Sequence, residues 1–253
     1  MVLNWGTEGI KWKIATQNII QITYYQAIRS VLVGLFSSLF TPRVIGDFLG
    51  RLFSTPAKDK AALTGALLVS GLAQTFISVL LGIFSLLFIY KNTDIVIELE
   101  ILFVSSLSFF LLLFVLIYYR KKITLFLSKK TRFIRSFLSS INSYSKKTLG
   151  LLLFWSLFRH FIFTFQFILI VQLIDYNTPI LALLPYVLLI YLTKSIVPSI
   201  NFLTDLGVRE LSSVFFLGLV GVHFSTALTA GMFIWIINIF IPSLVGGIVL
   251  WRK

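Results

Sequence analysis

The segment Thr41–Arg51, TPRVIGDFLGR, and a later segment, Pro198–Glu210, PSINFLTDLGVRE, each combine a proline with an acid, a glycine and an arginine. In the first motif, Asp47 and Arg51 are four residues apart, and the second motif repeats this spacing. On a helix, four residues place both charges on one face, close enough to pair. Both motifs follow apolar stretches long enough for a membrane, where ionisable residues are functional candidates. We therefore expect the protein to be organised around them.

The composition is that of a membrane protein. Hydrophobic residues make up 58% of the 253-residue chain and charged residues 12%, whereas soluble domains carry about 25% charged residues. A soluble core could not bury so much apolar surface. The sequence predicts an all-α, polytopic membrane protein with about six or seven transmembrane helices, two broken or re-entrant segments and an internal repeat.

The charge balance indicates a membrane surface rather than nucleic acid. The net charge is +13, from 22 Lys and Arg against 9 acids, and the bases cluster between apolar spans, as the positive-inside rule describes. The absence of cysteine excludes disulfides and thiolate metal sites, and two histidines are too few for a histidine-based metal cluster. No metal or other cofactor is expected, and no cleavable signal peptide is visible.

The chain reads as one integral membrane domain. It is predicted to span 1–253, with a first half at 1–119 broken at 41–54, a basic amphipathic segment at 120–147, and a second half at 148–253 broken at 198–210. The middle segment carries nine Lys and Arg, and no acid occurs between Glu100 and Asp175. Such a segment is typical of an anionic leaflet. It predicts a cytoplasmic location for 120–147 and for the C-terminus.

The first residues allow two interpretations. Asn4–Gln17 is amphipathic, and Trp5 and Trp12 are typical interfacial anchors, which favours a helix at the level of the lipid headgroups. Alternatively, Glu8 belongs to the polar site of the protein. Sequence alone leaves both open.

The two motifs have the chemistry of an anion receptor. Proline and glycine free backbone groups that persist in a membrane only beside protein or a wet cavity. Helix N-termini together with Arg51 and Arg209 would bind phosphate. Neighbouring acids would hold these arginines, pair with a cationic headgroup or carry a proton. The alternative is that the motifs are surface ion pairs in cytoplasmic loops, of small energetic value.

One further arginine stands out by its position. Arg159 is the twelfth residue of the apolar stretch Thr148–Ile174, too deep for its side chain to reach the interface easily. With this residue, the predicted substrate-binding set is Pro42, Gly46, Asp47, Arg51, Arg159, Asp205, Gly207, Arg209 and Glu210. No catalytic residue is predicted.

These motifs resemble the two signatures of the lysylphosphatidylglycerol synthase/flippase transmembrane family. The first signature maps to Pro42, Gly46, Asp47 and Arg51, with Asp in place of the usual Glu, and the second to Pro198, Leu206, Gly207, Arg209 and Glu210. The helix with Arg159 and Gln166 is similar too. The resemblance covers nearly the whole chain. It implies a flippase-like membrane protein without a synthase domain. Family members usually begin with one further hydrophobic helix ahead of the segment that matches Asn4–Trp12, and we expect this chain to lack that helix.

The leading hypothesis is therefore a translocase of the bacterial inner membrane. It would carry an anionic or phosphate-bearing lipid, or a lipid-linked headgroup, and its partners would be anionic membrane lipids. Soluble-enzyme signatures such as a phosphate-binding glycine loop are missing, so no enzymatic activity is expected. A membrane-embedded transferase acting on a lipid headgroup and a non-transporting anchor for a partner enzyme remain alternatives. The oligomeric state is not predicted.

Overall fold

Helices form the regular secondary structure throughout the part of the chain that is described. The structure, a computed structural model, describes residues 1–41, 43–92, 97–119, 131–197 and 202–251. The helices are α1 Val2–Thr16, α2 Tyr24–Phe40, α3 Arg43–Ser54, α4 Lys60–Asn92, α5 Ile97–Tyr118, α6 Arg132–Asn142, α7 Lys146–Ile174, α8 Ile180–Ile196, α9 Phe202–Gly218, α10 Phe224–Trp235, a π-helical turn Ile236–Phe240 and α11 Ile241–Trp251.

Within the described residues, three helical stretches are long and apolar enough to cross a membrane. They are Lys60–Tyr90, Lys146–Ile174 and Phe224–Trp251, and α8 is a shorter apolar helix. The prediction of an all-α, polytopic membrane protein is confirmed. The exact number of spans and the internal repeat remain predictions.

Each motif lies on the second helix of an antiparallel pair. The first motif lies on α3, which packs closely against α2, and the second lies on α9, which packs against α8. Pro42 and Pro198, predicted to start the two breaks, are outside the described residues. With 12 residues, α3 is about 18 Å long at 1.5 Å per residue, shorter than a bilayer core of about 30 Å.

Glycine allows the close approach of α3 to α2. A Cβ atom built on Gly50 would lie 2.6 Å from the Cα atom of Gly34, and one built on Gly46 would lie 2.5 Å from the Cα atom of Ser38. Neither position has room for a side chain. Gly46 thus brings the helix that carries Asp47 and Arg51 against the rest of the bundle.

Two apolar clusters fill the interior. The first cluster joins α1, α2, the start of α4 and the start of α7, and it includes Trp12, Val31, Leu63, Ala73 and Leu152. The second cluster joins the end of α4, the end of α7, α8, α9 and α10, and it includes Val79, Phe167, Val187, Leu217 and Ile234. On α4 and α7, the residues between these clusters are the polar ones that form the site described below.

Helix α1 packs into the bundle against α2, α4 and α7. Glu8 is 5% exposed and Lys11 is 1% exposed. This burial favours the second interpretation of the N-terminal segment, in which Glu8 belongs to a polar site.

A glycine in α11 packs tightly against α2. A Cβ atom on Gly246 would lie 2.0 Å from the carbonyl oxygen of Leu32 in α2, whereas a Cβ atom on exposed Gly150 in α7 would meet nothing within 4 Å. We predict that Gly246→Ala lowers the free energy of unfolding by about 1–3 kcal/mol through overpacking. Gly150→Ala should be neutral or stabilising by up to about 1 kcal/mol, because alanine favours helix.

Thermal unfolding of the purified protein in detergent measures both changes. Equal melting temperatures for the two variants would show that α11 does not pack on α2 in this way.

Candidate functional site

A buried carboxylate on α1 connects three cationic side chains. The Nη1 atom of Arg51 donates to Glu8 Oε1 at 2.9 Å, and the Nη1 atom of Arg159 donates to Glu8 Oε2 at 2.8 Å. The Nζ atom of Lys11 lies 3.3 Å from the same Oε2 atom. These residues come from α1, α3 and α7, so one carboxylate fixes the relative position of three helices. We call Glu8, Lys11, Asp47, Arg51 and Arg159 the Glu8 network.

The first motif supplies the second carboxylate of the Glu8 network. The Nε atom of Arg51 donates to Asp47 Oδ1 at 2.8 Å, one helical turn away. The guanidinium group of Arg51 also lies 5.6 Å from the ring centre of Trp12. Three cations therefore share two carboxylates. The Nε and Nη1 atoms of Arg51 both donate to carboxylates of the protein. This arrangement makes Arg51 a residue that organises the site.

Arg159 joins the Glu8 network to a cavity. Its Nε atom donates to Asn4 Oδ1 at 2.7 Å, and its guanidinium group lies 5.0 Å from the ring centre of Trp5. The side chain also lines a cavity of about 300 Å³ between the two apolar clusters. The described residues that line it are Asn4, Trp5, Gln74, Thr75, Ser78, Arg159, Phe163, Tyr191, Lys194, Ser195, Arg209, Ile234, Asn238 and Ile239.

The charged residues in this lining are all cationic. They are Arg159 from α7, Lys194 from α8 and Arg209 from α9, and none of the described lining residues is an acid. The nearest described acid to two of them is Asp205, whose Oδ1 atom lies 3.5 Å from Lys194 Nζ and whose Oδ2 atom lies 3.5 Å from Arg209 Nη2. Such long contacts are weak hydrogen bonds. The cavity therefore has an electropositive wall.

Arg209 retains hydrogen-bonding capacity towards the cavity. It is 2% exposed, and its Nε and Nη1 atoms have no hydrogen-bond partner among the described residues. Buried donors are nearly always paired, and a planar guanidinium group suits bidentate binding of a phosphate or carboxylate. Arg209 therefore has donor capacity that the described residues leave unused.

Pro242 leaves a backbone carbonyl of the π-helical turn without its usual helical donor, and a side chain of α1 bonds to this carbonyl. Pro242 has no N–H group to donate to the carbonyl four residues earlier, that of Asn238. The indole Nε1 atom of Trp5 donates to this carbonyl at 2.9 Å. The Asn238 side chain accepts from Asn4 Nδ2 at 2.8 Å and donates to Gln166 Oε1 at 3.1 Å. The interrupted helix thus holds the residues that position Arg159.

A polar residue of α4 completes this side of the site. Lys11 Nζ donates to Gln74 Oε1 at 3.0 Å, and Gln74 Nε2 donates to the carbonyl of Ser156 at 3.3 Å. Gln74 therefore makes the interhelical hydrogen bonds that a lone polar residue in an apolar span usually makes.

The predicted site residues fall into two groups in the structure. The first motif and Arg159 meet in the Glu8 network, and the second motif contributes Arg209 to the cavity. Arg159 and Arg209 line the same cavity, whereas Arg51 is directed to Glu8 and Asp47. The cavity wall therefore contains Arg159 and Arg209, whereas Arg51, which was expected to bind phosphate with Arg209, is not among the described lining residues.

The remaining predicted residues have other surroundings. Glu210 is 7% exposed, its two carboxylate oxygens have no hydrogen-bond partner among the described residues, and it lies close to Gly231 of α10. A Cβ atom on Gly207 would meet nothing within 4 Å. Neither residue belongs to the described cavity lining. Pro42 lies outside the described residues.

Several cavity residues were not predicted as site residues. They are Asn4, Gln74, Tyr191, Lys194 and Asn238. The available signal was weak, because each is a single polar or amphipathic residue in an apolar helix. An isolated polar residue predicts an inward-facing position without naming its partner.

The chain matches a known protein family. Residues 1–246 match the family model described as "Lysylphosphatidylglycerol synthase TM region". No curated protein and no solved structure matches the chain.

The Glu8 network generates a stability prediction. Glu8→Gln removes the shared partner of three cations, of which Lys11 and Arg51 are buried, and breaking a buried ion pair costs about 3–5 kcal/mol. Asp47→Asn removes a carboxylate whose side chain is 30% exposed and which pairs with Arg51. We expect a clearly larger loss of thermal stability in detergent for Glu8→Gln than for Asp47→Asn. A network of minor importance would give two equal, small losses.

Proposed function

This chain belongs to the lysylphosphatidylglycerol synthase TM region family, and from that premise we propose that it is a flippase-like membrane protein. Its proposed cargo is an anionic or phosphate-bearing lipid, or a lipid-linked headgroup. The observation that carries the proposal is that two guanidinium groups, those of the buried Arg209 and the partly buried Arg159, lie in the wall of one cavity. Two arginines beside a low-dielectric cavity are a strong receptor for phosphate.

The cavity size supports headgroup binding. Its volume of about 300 Å³ lies at the lower end of the range for small-molecule sites, about 300–1,000 Å³. This space suits a phosphate with a small headgroup, whereas acyl chains would lie in the surrounding bilayer. A translocase needs to enclose only the headgroup, because the polar part of a lipid cannot cross the hydrocarbon core unaided.

Arg159 provides a physical link between binding and helix position. A phosphate in the cavity would compete with Glu8 for the Arg159 guanidinium group, and Glu8 would keep Arg51 and Lys11 as partners. A ligand shifts a conformational equilibrium only through different interactions in the two states. The proposed difference is the Arg159–Glu8 contact at 2.8 Å, which joins α7 to α1.

We propose transport without chemical change of the lipid. The polar groups of the described cavity lining are cations, amides and hydroxyls, and the nearby carboxylates Glu8 and Asp205 are ion-paired. Paired carboxylates are poor general bases. This supports a translocase over the transferase alternative.

The binding proposal predicts the effect of two substitutions. In vesicles with the purified protein, the rate at which phosphatidylglycerol becomes accessible in the opposite leaflet should fall by about 10-fold or more in Arg159→Gln and Arg209→Gln. A charge-assisted hydrogen bond is worth about 1.5–3 kcal/mol, and 1.4 kcal/mol is a factor of ten. Arg209→Lys should retain part of the rate, since the charge remains without the bidentate geometry.

Arg29→Gln is the matched control, because Arg29 lies on α2 and outside the described cavity lining. Each variant is compared at equal amounts of folded protein in the vesicles. Wild-type rates in both the Arg159 and Arg209 variants would remove these residues from transport and would leave the anchor hypothesis.

The proposed location is the bacterial inner membrane, with residues 120–147 and the C-terminus in the cytoplasm. The basic segment supports this orientation by the positive-inside rule. The natural chain has no cysteine, so single cysteines report topology directly. In intact cells, a membrane-impermeant thiol reagent should label Asn177→Cys, between α7 and α8, and should label Ser139→Cys, on α6, only after permeabilisation. The reverse pattern would invert the topology.

A further inference from the structure

The chemistry of the cavity wall restricts which headgroup fits. Resting on the proposed function, we infer that the cavity accepts an anionic lipid whose headgroup carries hydroxyl groups, and that it rejects headgroups carrying an ammonium group. A glycerol or similar polyol phosphate is the substrate class. The aminoacylated lipid in the family description does not belong to this class.

The first argument is charge. Arg159, Lys194 and Arg209 come from three different helices and line one small cavity, with no acid in its described lining. An ammonium group on the bound headgroup would lie within a few ångströms of at least one of these cations, in a site where charge repulsion is poorly screened.

The paired carboxylates beside the cavity, Glu8 and Asp205, do not relieve this repulsion. Glu210, whose oxygens have no hydrogen-bond partner among the described residues, lies outside the described cavity lining. Glu8 is 5% and Asp205 is 1% exposed, and each already contacts at least two cationic side chains. Neither belongs to the described cavity lining. A headgroup ammonium would have to displace a protein cation to reach one of them, and that cation would then be buried without its partner.

The second argument is hydrogen bonding. Beyond the cations, the described wall contains the hydroxyl groups of Thr75, Ser78 and Ser195, whereas the amides of Asn4 and Asn238 bond to each other within the protein. The Ser195 hydroxyl donates to the Tyr191 carbonyl at 2.8 Å and keeps its acceptor capacity. A headgroup hydroxyl can donate to such an acceptor and can accept from a hydroxyl donor, whereas an alkyl headgroup can do neither. The hydroxyls of the wall therefore favour a polyol headgroup, and the rejection of an ammonium group rests on charge.

The test uses purified protein in vesicles containing one acyl-labelled lipid at a time. Phosphatidylglycerol is anionic with hydroxyls, phosphatidylethanolamine carries an ammonium group, and phosphatidylethanol is anionic with neither. We expect transport of phosphatidylglycerol to be at least 10-fold faster than that of phosphatidylethanolamine and at least 3-fold faster than that of phosphatidylethanol.

The outcomes separate this inference from the proposed function. Phosphatidylethanolamine moving as fast as phosphatidylglycerol would overturn the inference and leave the translocase in place. Equal rates for phosphatidylglycerol and phosphatidylethanol would overturn the role of the hydroxyls. Movement of none of the lipids, with folded protein present, would overturn the proposed function and the inference together.

A paired substitution tests the charge argument inside the cavity. Thr75 lies in the cavity wall on α4, and Thr75→Asp adds a carboxylate, whereas Thr75→Asn adds a neutral group of nearly the same size. The ratio of phosphatidylglycerol to phosphatidylethanolamine transport should fall at least 5-fold in the Asp variant relative to the Asn variant. An unchanged ratio would show that cavity charge does not select the headgroup.

Discussion

The structure depends on the cost of placing charge inside a membrane protein. A carboxylate or guanidinium group removed from water must be paired and hydrogen-bonded to be tolerated. Glu8 is the partner of Arg51 and Arg159, and Lys11 lies 3.3 Å from it. Since these residues belong to α1, α3 and α7, the need to neutralise them brings together segments that are 151 residues apart along the chain. Any arrangement that separated these helices would leave buried charges unpaired.

The apolar packing places the polar site at the middle of the bundle. One hydrophobic cluster joins α1 and α2 to the start of α4 and α7, and the other joins α8, α9 and α10 to the ends of these two long helices. Residues of α4 and α7 between the clusters, such as Gln74 and Arg159, are therefore surrounded by protein. The π-helical turn before α11 adds Asn238, whose carbonyl accepts a hydrogen bond from Trp5, to the same place. The cavity is the space that the two clusters leave between them.

Contacts between residues of one helix can be predicted from the sequence. Contacts between side chains of different helices cannot. Four-residue spacing predicts that Asp47 and Arg51 share a helix face, and they form an ion pair at 2.8 Å. The depth of Arg159 in its helix indicates an inward-facing side chain. That its partner is Glu8 depends on how helices pack, and no local pattern encodes this.

The N-terminal segment shows the same limit. A helix that lies on lipid headgroups and a helix whose polar face points into a polar bundle interior have the same amphipathic pattern. Asn4–Gln17 therefore allowed both interpretations. Likewise, Pro242 predicts an irregular helix, but the contact of Trp5 with the Asn238 carbonyl depends on tertiary structure. Arg51 and Arg209 were expected to bind phosphate together because their motifs are similar. Motif similarity does not show that Arg51 donates a hydrogen bond to Glu8.

The central claim is that the Glu8 network holds Arg159 at the cavity, where it and Arg209 receive the phosphate of a lipid. The most direct measurement is a high-resolution electron cryo-microscopy structure of the protein in nanodiscs that contain phosphatidylglycerol. It should show phosphate density within about 3.5 Å of both guanidinium groups, as charge-assisted hydrogen bonds require. Lipid phosphate bound elsewhere, with Arg209 directed towards acyl chains or bulk solvent, would contradict the claim.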